Sequence, residues 1–313
     1  MSGMTTPAPR VSVVTIFLNA ERFLGEAIES VLAQSFRDFE LILVDDGSDE
    51  PCSAIARGYA NRYAPRVQYV EHHGHRNLGM SASRNLGIAA SQSEFIAFID
   101  ADDVWSADKL AEQVAIMDAH PNLGMSCGAV RFWRSWDGRQ DVIVPTGHAQ
   151  NRVIPPPEAS LALYPLGKAV APCPSDLLLR RNVVASLGGF EEHFTGPRQM
   201  YEDQAFLAKL YLAAPVFFSD KVWLNYRQHP DSYVAKVKRQ GQYLEVRQYF
   251  LSWLERYLEG LPDVDTRVGT ALRRARRFSH PLVHGITQRS AELLRWGMHT
   301  GRRVKRLTSR FAR

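Results

Sequence analysis

The amino-acid sequence predicts an α/β fold, in which helices cover both faces of a mostly parallel central sheet. Two observations lead to this prediction. In the first third of the 313-residue chain, short apolar runs typical of buried strands alternate with amphipathic helical patterns. Clusters of aspartates directly follow two of these runs, and in parallel sheets that is where ligands bind.

The elements of this first third follow from the period of the apolar residues. Apolar runs predict strands at 11–16, 40–44, 67–70 and 94–99, and helical spacing predicts helices at 21–34, 53–63 and 81–90. The first helix places six apolar residues on one face: Phe23, Leu24, Ala27, Ile28, Val31 and Leu32. The second strand ends at a turn, because Asp-Asp-Gly-Ser at 45–48 favours turn geometry.

The rest of the chain is less regular. A helix is predicted at 105–120 and a loop at the three prolines 155–157. Weaker patterns predict strands at 177–180 and 222–229, separated by a helix at 201–214. From about Val237 onward the pattern is helical.

Charge is distributed unevenly along the chain. The whole chain has a formal charge of +5, but residues 267–313 hold thirteen Lys and Arg against one acid, which is +12. Residues 1–266 therefore carry −7. The net positive charge of the chain comes from its C-terminal segment, so we do not expect nucleic acid as a partner.

Cysteine usage and hydropathy bear on the compartment. The three cysteines are widely scattered, with neither metal-type nor disulfide-type spacing, which favours a reducing compartment. No run of about 18 apolar residues predicts a transmembrane helix, and residues 1–10 lack the apolar core of a signal peptide. We therefore expect a disordered lead-in at 1–10 and a cytoplasmic protein.

Three carboxylates lie within four positions at the end of the predicted strand 94–99: Asp100, Asp102 and Asp103. Carboxylates this close repel one another, and burial would raise their pKa values. A divalent cation such as Mg²⁺ or Mn²⁺ removes the repulsion and can bridge the carboxylates to substrate phosphates. The alternative is an aspartate-rich turn that caps the next helix.

Two further segments carry candidate ligand contacts. Asp45 and Asp46 close the second strand, where a carboxylate can accept a hydrogen bond from a base N–H or a ribose hydroxyl; the alternative is a plain turn. Residues 79–85 open a helix whose N-terminal amides, with Arg84, suit an anion such as a diphosphate. The alternative there is an ordinary capped helix with a solvated arginine.

Five segments together resemble the family-2 glycosyltransferases, which have the Rossmann-like A-type glycosyltransferase fold. They are VSVVTIFLN (11–19), AIESVLAQSFRDFELILVDDGS (27–48), NLGMSASRNLGI (77–88), FIAFIDADDVW (95–105) and YEDQAFLAKL (201–210). Each segment is weak evidence alone, but the segments occur in the family's order and spacing. The resemblance covers roughly residues 11–232.

The resemblance implies a role for each matching residue. Contacts with the nucleotide-sugar donor would come from Thr15, Ile16, Asp45, Asp46, Arg84 and Asp100. The metal ion would be held by Asp100, Asp102, Asp103 and His229. Asp203 would be the catalytic base, with Glu202 beside it as the next candidate. The family usually has proline where Ile16 stands and a small hydroxyl residue where Phe17 stands, which leaves the contacts of that loop open.

The implied organisation is a catalytic domain at 11–235, with a nucleotide-binding half (11–130) and an acceptor half (131–235). A helical basic region follows at 236–313. The implied activity is an inverting, Mn²⁺- or Mg²⁺-dependent transfer of a sugar from a UDP- or dTDP-linked donor. The acceptor would be a hydroxyl of a glycan or lipid-linked glycan in cell-envelope polysaccharide synthesis. The alternatives are a nucleotidyltransferase on a similar sheet, or a non-catalytic protein that binds a nucleotide sugar or nucleic acid.

The C-terminal segment 290–313 lies outside the resemblance. An apolar stripe recurs there at steps of three or four: Leu293, Trp296, Thr300, Val304, Leu307 and Phe311. Arginines and a lysine surround the stripe, which is the pattern of a basic amphipathic helix on an anionic membrane surface. We expect peripheral attachment to the inner face of the membrane; the alternative is a helix packed on its own domain.

Overall fold

A computed structural model describes residues 8–278. Within this range, ten strands form one mixed sheet in the order β3-β2-β1-β4-β9-β6-β10-β5, with β7 beside β6 and β8 beside β10. The strands are β1 (Val11–Phe17), β2 (Phe39–Asp45), β3 (Val67–Glu71), β4 (Phe95–Asp100), β5 (Val104–Trp105), β6 (Met125–Trp133), β7 (Val142–Val144), β8 (Arg152–Ile154), β9 (Leu178–Arg180) and β10 (Val216–Arg227).

The longer strands share one direction. β1, β2, β3 and β4 pair in parallel, and so do β6 and β10. The short strand β9 lies antiparallel between β4 and β6, so both halves of the sheet point the same way. The other short strands β5, β7 and β8 are also antiparallel. The carboxyl ends of all the longer strands therefore meet at one edge of the sheet.

Ten helices are described. They are α1 (Leu24–Leu32), α2 (Glu50–Arg62), α3 (Met80–Ala90), α4 (Lys109–Ala119), α5 (Glu158–Ala162), α6 (Arg181–Ser186), α7 (Glu202–Ala213), α8 (Tyr233–Arg239), α9 (Tyr243–Glu259) and α10 (Thr266–Phe278). Short 3-10 turns lie at Ser135–Asp137, Pro174–Asp176 and Gly196–Tyr201. No helix within residues 8–278 is long and apolar enough to cross a membrane.

Apolar side chains project from both faces of the sheet, because successive residues of a strand point in opposite directions. In β1, Val11 and Val13 join a core with helices α1, α2 and α4, while Val14 and Ile16 join a second core with α6 and α7. All seven residues of β1 are buried. The predicted α/β fold with a sheet covered on both faces is thus confirmed.

The C-terminal helices α9 and α10 pack around a third core. Phe250 of α9 stacks on Tyr201, with the ring centroids 5.0 Å apart. Val268, Leu272 and Ala275 of α10 are buried in the same core. The helical extension predicted after the catalytic region therefore begins as helices packed on the domain. The apolar stripe predicted at 293–311 lies outside the described residues.

Besides short strands and helices that the sequence does not predict, three longer elements differ from the prediction. The strand β6 was not predicted, because its sequence MSCGAVRFW mixes small and polar residues with apolar ones. β10 begins at Val216, earlier than the expected 222, since a register irregularity between Phe218 and Val222 absorbs the polar residues that resemble a turn. The helix expected at 105–120 begins only at Lys109, because Val104–Trp105 pairs with β10.

Candidate active site

A cleft of about 550 Å³ opens at the edge of the sheet where the longer strands end. It is lined by the segment after β1, by residues that follow β2 and β4, by the start of α7 and by the segment after β10. Seven carboxyl groups line it: Glu21, Asp46, Asp100, Asp102, Glu202, Asp203 and Asp231. Against these stand three basic side chains, Arg22, Arg84 and Lys236, together with His229.

Asp46 is fixed at the end of β2. Its carboxylate accepts hydrogen bonds from the backbone amides of Leu78 (2.8 Å) and Gly79 (3.0 and 3.1 Å), and its own amide donates to the carbonyl of Phe17 at 2.9 Å. These bonds join the loops after three strands at one point. Asp46 therefore lines the cleft in a single orientation, as a carboxylate that reads a nucleoside requires.

Asp45 and Thr15 do not line the cleft. Asp45 is fully buried, and it accepts hydrogen bonds from the amide of Ser48 (2.7 Å) and from the hydroxyls of Ser53 and Tyr69 (2.5 and 3.0 Å). Burial alone would raise the pKa of Asp45, but these hydrogen bonds outweigh it and the pKa is lowered. The structure thus places Asp45 in the support of the turn, while Ile16 of the same donor-binding prediction does line the cleft.

Arg84 sits between the two halves of the cleft. Its side chain is 1% exposed, and it donates to Glu202 Oε1 and Asp100 Oδ1, each at 2.6 Å. Burial alone would lower the pKa of the guanidinium, but the carboxylates of Glu202 and Asp100 outweigh it and raise the pKa. The solvated arginine of the alternative reading is therefore wrong, and the guanidinium is already committed to two carboxylates.

Three backbone amides at the start of α3 already have partners within the protein. Leu78 and Gly79 donate to Asp46, and the Met80 amide donates to Gln199 Oε1 at 2.7 Å. These three amides are therefore not available to bind a diphosphate directly, and the prediction for the rest of the segment 79–85 stays a prediction. They hold Asp46 and Gln199 in the cleft wall instead.

The acidic turn after β4 divides its carboxylates between the cleft and the interior. Asp100 and Asp102 line the cleft. Asp103 is fully buried, its Oδ1 accepts from the Arg227 amide at 3.0 Å, and its Oδ2 has no hydrogen-bond partner among the described residues. Burial, with the charges of Asp102 and Asp100, raises the pKa of Asp103 well above its ordinary value. Asp103 thus supports the turn and does not face the cleft.

Asp102 and His229 form a pair in the cleft, with Asp102 Oδ2 and His229 Nε2 2.9 Å apart. Within residues 8–278 no group of three His, Cys, Asp or Glu side chains is placed to hold an ion by itself. The donors present nevertheless fit a hard cation. Mg²⁺ commonly takes one or two protein carboxylates and completes its shell with substrate phosphates and water. Asp102 and His229, with Asp100 nearby in the same cleft, supply such a partial set.

Glu202 and Asp203 begin α7 and have different environments. Glu202 is 3% exposed, bonded to Arg84 through Oε1, and its Oε2 has no partner among the described residues. Burial raises the pKa of Glu202 to about 8, against the opposing effect of Arg84. Burial also raises the pKa of Asp203, to about 6. The pKa of Asp203 therefore lies below that of Glu202, so Asp203 is the first of the two to lose its proton as the pH rises.

One supporting residue that sequence patterns missed is Arg227, at the end of β10. It donates from Nε to the Asp102 carbonyl at 2.7 Å and from Nη2 to Glu26 at 2.5 Å. Its guanidinium packs against the rings of Phe23 and Trp133, 4.6 and 4.2 Å from their centroids. No local pattern identifies Arg227, because its partners come from distant parts of the chain.

The family of the chain is shown by comparison with known proteins. The model of glycosyl transferase family 2 matches residues 12–187, which is more than half of the chain. The chain therefore belongs to glycosyl transferase family 2, as the sequence resemblance predicts. The match includes Asp46, Arg84 and the acidic turn, and it ends before Glu202, Asp203 and His229.

Two relatives from Bacillus subtilis strain 168 are similar over about a third of the chain. EpsE, a glycosyltransferase by name, is 37% identical over 112 residues, which cover 36% of this chain and 40% of EpsE. TuaG, named as a teichuronic acid biosynthesis glycosyltransferase, is 35% identical over 114 residues, covering 36% of this chain and 44% of TuaG. The chain thus matches less than half the length of these relatives.

Two solved structures share the fold. TarS (residues 1–349) of S. aureus in complex with UDP-GlcNAc aligns with a TM-score of 0.64 and 20% identity, over 86% of this chain and 73% of TarS. The mannosyltransferase PcManGT of Pyrobaculum calidifontis, in complex with GDP-Man and Mn²⁺, aligns with a TM-score of 0.59 and 17% identity, over 88% and 71%. The A-type glycosyltransferase fold is thereby confirmed.

Proposed function

We propose that the protein is an inverting, metal-dependent glycosyltransferase that moves a sugar from a UDP- or dTDP-linked donor to a hydroxyl of a glycan or glycolipid. The observation that carries the proposal is a single cleft that holds Asp46, the Asp102–His229 pair and Asp203 together. A nucleoside site, a cation site and a base are the three parts that such a transfer needs.

The comparisons support the donor and the pathway of this proposal. The fold is shared with TarS, whose structure contains UDP-GlcNAc, and with PcManGT, whose structure contains GDP-Man and Mn²⁺. The names of EpsE and TuaG describe glycosyltransferases, and that of TuaG adds teichuronic acid biosynthesis. We therefore place the activity in the synthesis of cell-envelope polysaccharide.

The charge of the cleft supports metal dependence. Seven carboxyl groups line the cleft against three basic side chains, so a diphosphate would enter a site that is already negative. Asp102 and His229, with Asp100, would hold Mn²⁺ or Mg²⁺. When bound, such an ion supplies Lewis acidity and positive charge beside the leaving diphosphate.

Asp203 is better suited than Glu202 to act as the base. A general base must be ionised before the reaction, and the pKa of Asp203 is about 6. The pKa of Glu202 is about 8, and its Oε1 is bonded to Arg84. We assign Glu202 the task of positioning Arg84, which in turn holds Asp100.

In the proposed reaction one bond forms and one bond breaks at the anomeric carbon of the donor sugar. The acceptor hydroxyl oxygen attacks the anomeric carbon from the face opposite the diphosphate, and the carbon–oxygen bond to the diphosphate breaks. The hydroxyl proton passes to the carboxylate of Asp203, and the nucleoside diphosphate leaves with the bonding electron pair. Inversion follows because only one displacement takes place.

A binding experiment tests the donor and the metal together. We expect UDP or dTDP to bind more tightly with Mn²⁺ than with a chelator in isothermal titration, and Asp102→Asn to remove most of this difference. Asp263→Asn, an exposed site on the C-terminal side of α9, is the matched control and should bind like the unmodified protein. Equal affinity with and without metal in the unmodified protein would contradict metal dependence.

The base is tested by Asp203→Asn. The variant should bind the donor almost normally, because the carboxylate faces the acceptor hydroxyl. Its transfer rate should fall by about 10²–10⁴-fold, the usual contribution of a general base. Normal turnover by this variant would transfer the assignment to Glu202.

We also propose that residues 290–313 attach the protein to the cytoplasmic leaflet of a membrane, where lipid-linked acceptors are concentrated. The support comes from the sequence, in the apolar stripe of 293–311 and its basic surroundings. Each Lys or Arg close to an anionic surface contributes about 1 kcal/mol. Half of the basic residues in the segment would therefore be enough for binding.

A further inference from the structure

The three basic side chains of the cleft differ in their partners. Arg84 is bonded to Glu202 and Asp100. The Arg22 guanidinium lies over the rings of Phe23 and Trp136, 5.0 and 5.3 Å from their centroids. The side chain of Lys236 on α8 makes no hydrogen bond, ion pair or ring contact with any residue in the range 8–278, although Lys236 lines the same cleft.

The backbone that carries Lys236 is well anchored. The Ser232 hydroxyl caps α8 by accepting from the Ala235 amide at 3.4 Å. The Tyr233 hydroxyl donates to the Gly196 carbonyl, and Val237 is buried in the third core. A fixed helix thus presents a flexible ammonium group to the cleft, and that group has no protein anion to satisfy it among the described residues.

Several other groups that could bind a diphosphate are already engaged. The amides of Leu78, Gly79 and Met80 donate to Asp46 and Gln199. The guanidinium of Arg84 donates hydrogen bonds to Glu202 and Asp100, one on each of its sides. A diphosphate in this cleft would therefore need positive charge from the side chains that remain available and from a bound cation.

Lys236 is joined to the cation site by a short stretch of chain. Six residues separate it from His229, whose ring pairs with Asp102. The intervening Asp231, Ser232 and Tyr233 also line the cleft. The segment after β10 therefore runs from the proposed metal ligand along the cleft wall to Lys236.

We propose that Lys236 binds the diphosphate of the nucleotide-sugar donor and neutralises the charge that develops on it as the sugar departs. This inference rests on the proposed function and adds a residue to it. Lysine suits the task because its ammonium is a compact charge on a flexible stem, which can follow the diphosphate as it moves.

The test compares Lys236→Ala, Lys236→Arg and Lys238→Ala. Lys238 is the matched control, since it lies on the same helix, is exposed and does not line the cleft. Isothermal titration with UDP and with uridine, each with Mn²⁺ and with chelator, separates the contribution of the diphosphate from that of the nucleoside. Equal thermal midpoints for all variants check that α8 remains folded.

We expect Lys236→Ala to weaken UDP binding about tenfold or more, as loss of a charge-assisted hydrogen bond to phosphate should. Uridine binding should not change, Lys236→Arg should retain most of the UDP affinity, and Lys238→Ala should behave like the unmodified protein. The loss should persist in chelator, because it comes from the charge of Lys236 itself.

Equal UDP affinity in Lys236→Ala and the unmodified protein would overturn this inference and leave the proposed function intact. An equal loss of UDP and uridine affinity would also overturn it, because it would show a distorted cleft and not a lost diphosphate contact. If the unmodified protein binds neither UDP nor dTDP with Mn²⁺, the proposed function fails, and the role of Lys236 fails with it.

Discussion

Replacement of Glu202 by glutamine should change how stability depends on pH. Burial raises the pKa of Glu202 from about 4.5 in the unfolded chain to about 8 in the folded protein. The folded state therefore holds this proton more tightly than the unfolded state. Its stabilising effect is fully present below pH 4.5 and is lost as the pH rises through 8. Glutamine has nearly the same shape and does not titrate.

The size of the effect follows from these two values. Between pH 5 and pH 8, a group whose pKa moves from 4.5 to 8 should change the free energy of unfolding by about 3.5 kcal/mol. Between pH 5 and pH 8, the unmodified protein should therefore lose this much stability relative to the Glu202→Gln variant. All other titrating groups are shared by the two proteins, so the difference between them isolates Glu202 and its coupling to Arg84.

Urea unfolding followed by circular dichroism at pH 5, 6, 7 and 8 measures this difference. Glu259→Gln, at the exposed end of α9, is the matched control and should show a constant offset from the unmodified protein. If Glu202→Gln also shows a constant offset, within about 0.5 kcal/mol, Glu202 is not protonated in the folded protein at neutral pH. The division of roles between Glu202 and Asp203 would then be wrong.

Three further predictions concern catalysis, the nucleoside loop and the C-terminal segment. The transfer rate should rise with pH through about 6, where Asp203 loses its proton, and a rate that stays flat from pH 5 to 8 would exclude Asp203 as the base. Gly47→Ala should destabilise the protein more than Gly74→Ala in urea unfolding, although both glycines have positive φ. A Cβ at Gly47 would lie 2.7 Å from the Asn77 amide nitrogen, whereas a Cβ at Gly74 would meet nothing within 4 Å. The backbone strain at positive φ alone costs about 1–3 kcal/mol in each variant. Equal losses of stability in the two variants would therefore show that the close contact at Gly47 is relieved without cost. Removal of residues 290–313 should abolish sedimentation with anionic liposomes and leave nucleotide binding unchanged. Membrane attachment through this segment is contradicted if the truncated protein still sediments with the liposomes.

The sequence by itself determined the sheet of the first third and its ligand-binding edge. The strand residues Val11 to Phe17 are apolar at five of seven positions, because a strand covered on both faces is rich in apolar residues. The carboxylates Asp46 and Asp102 follow their strands directly, so a local pattern places them at the edge of the sheet. The family resemblance extended this reading to Asp203 and His229.

Only the tertiary structure decided which neighbouring residues serve the cleft and which support it. Asp45 and Asp46 are adjacent in sequence, as are Asp102 and Asp103, yet one of each pair lines the cleft and the other is buried. Alternation along the backbone turns adjacent side chains in opposite directions, and sequence alone does not say which direction faces the cleft.

The tertiary structure also decided the state of the charged groups. Arg84 looked like an arginine available to a diphosphate, until packing placed it between Asp100 and Glu202, residues 16 and 118 positions away in the chain. The raised pKa of Glu202 has the same origin, because desolvation depends on everything that packs around a group. Local sequence sets which residue types are present, whereas burial and long-range partners set their charge, and these exist only once the chain has folded.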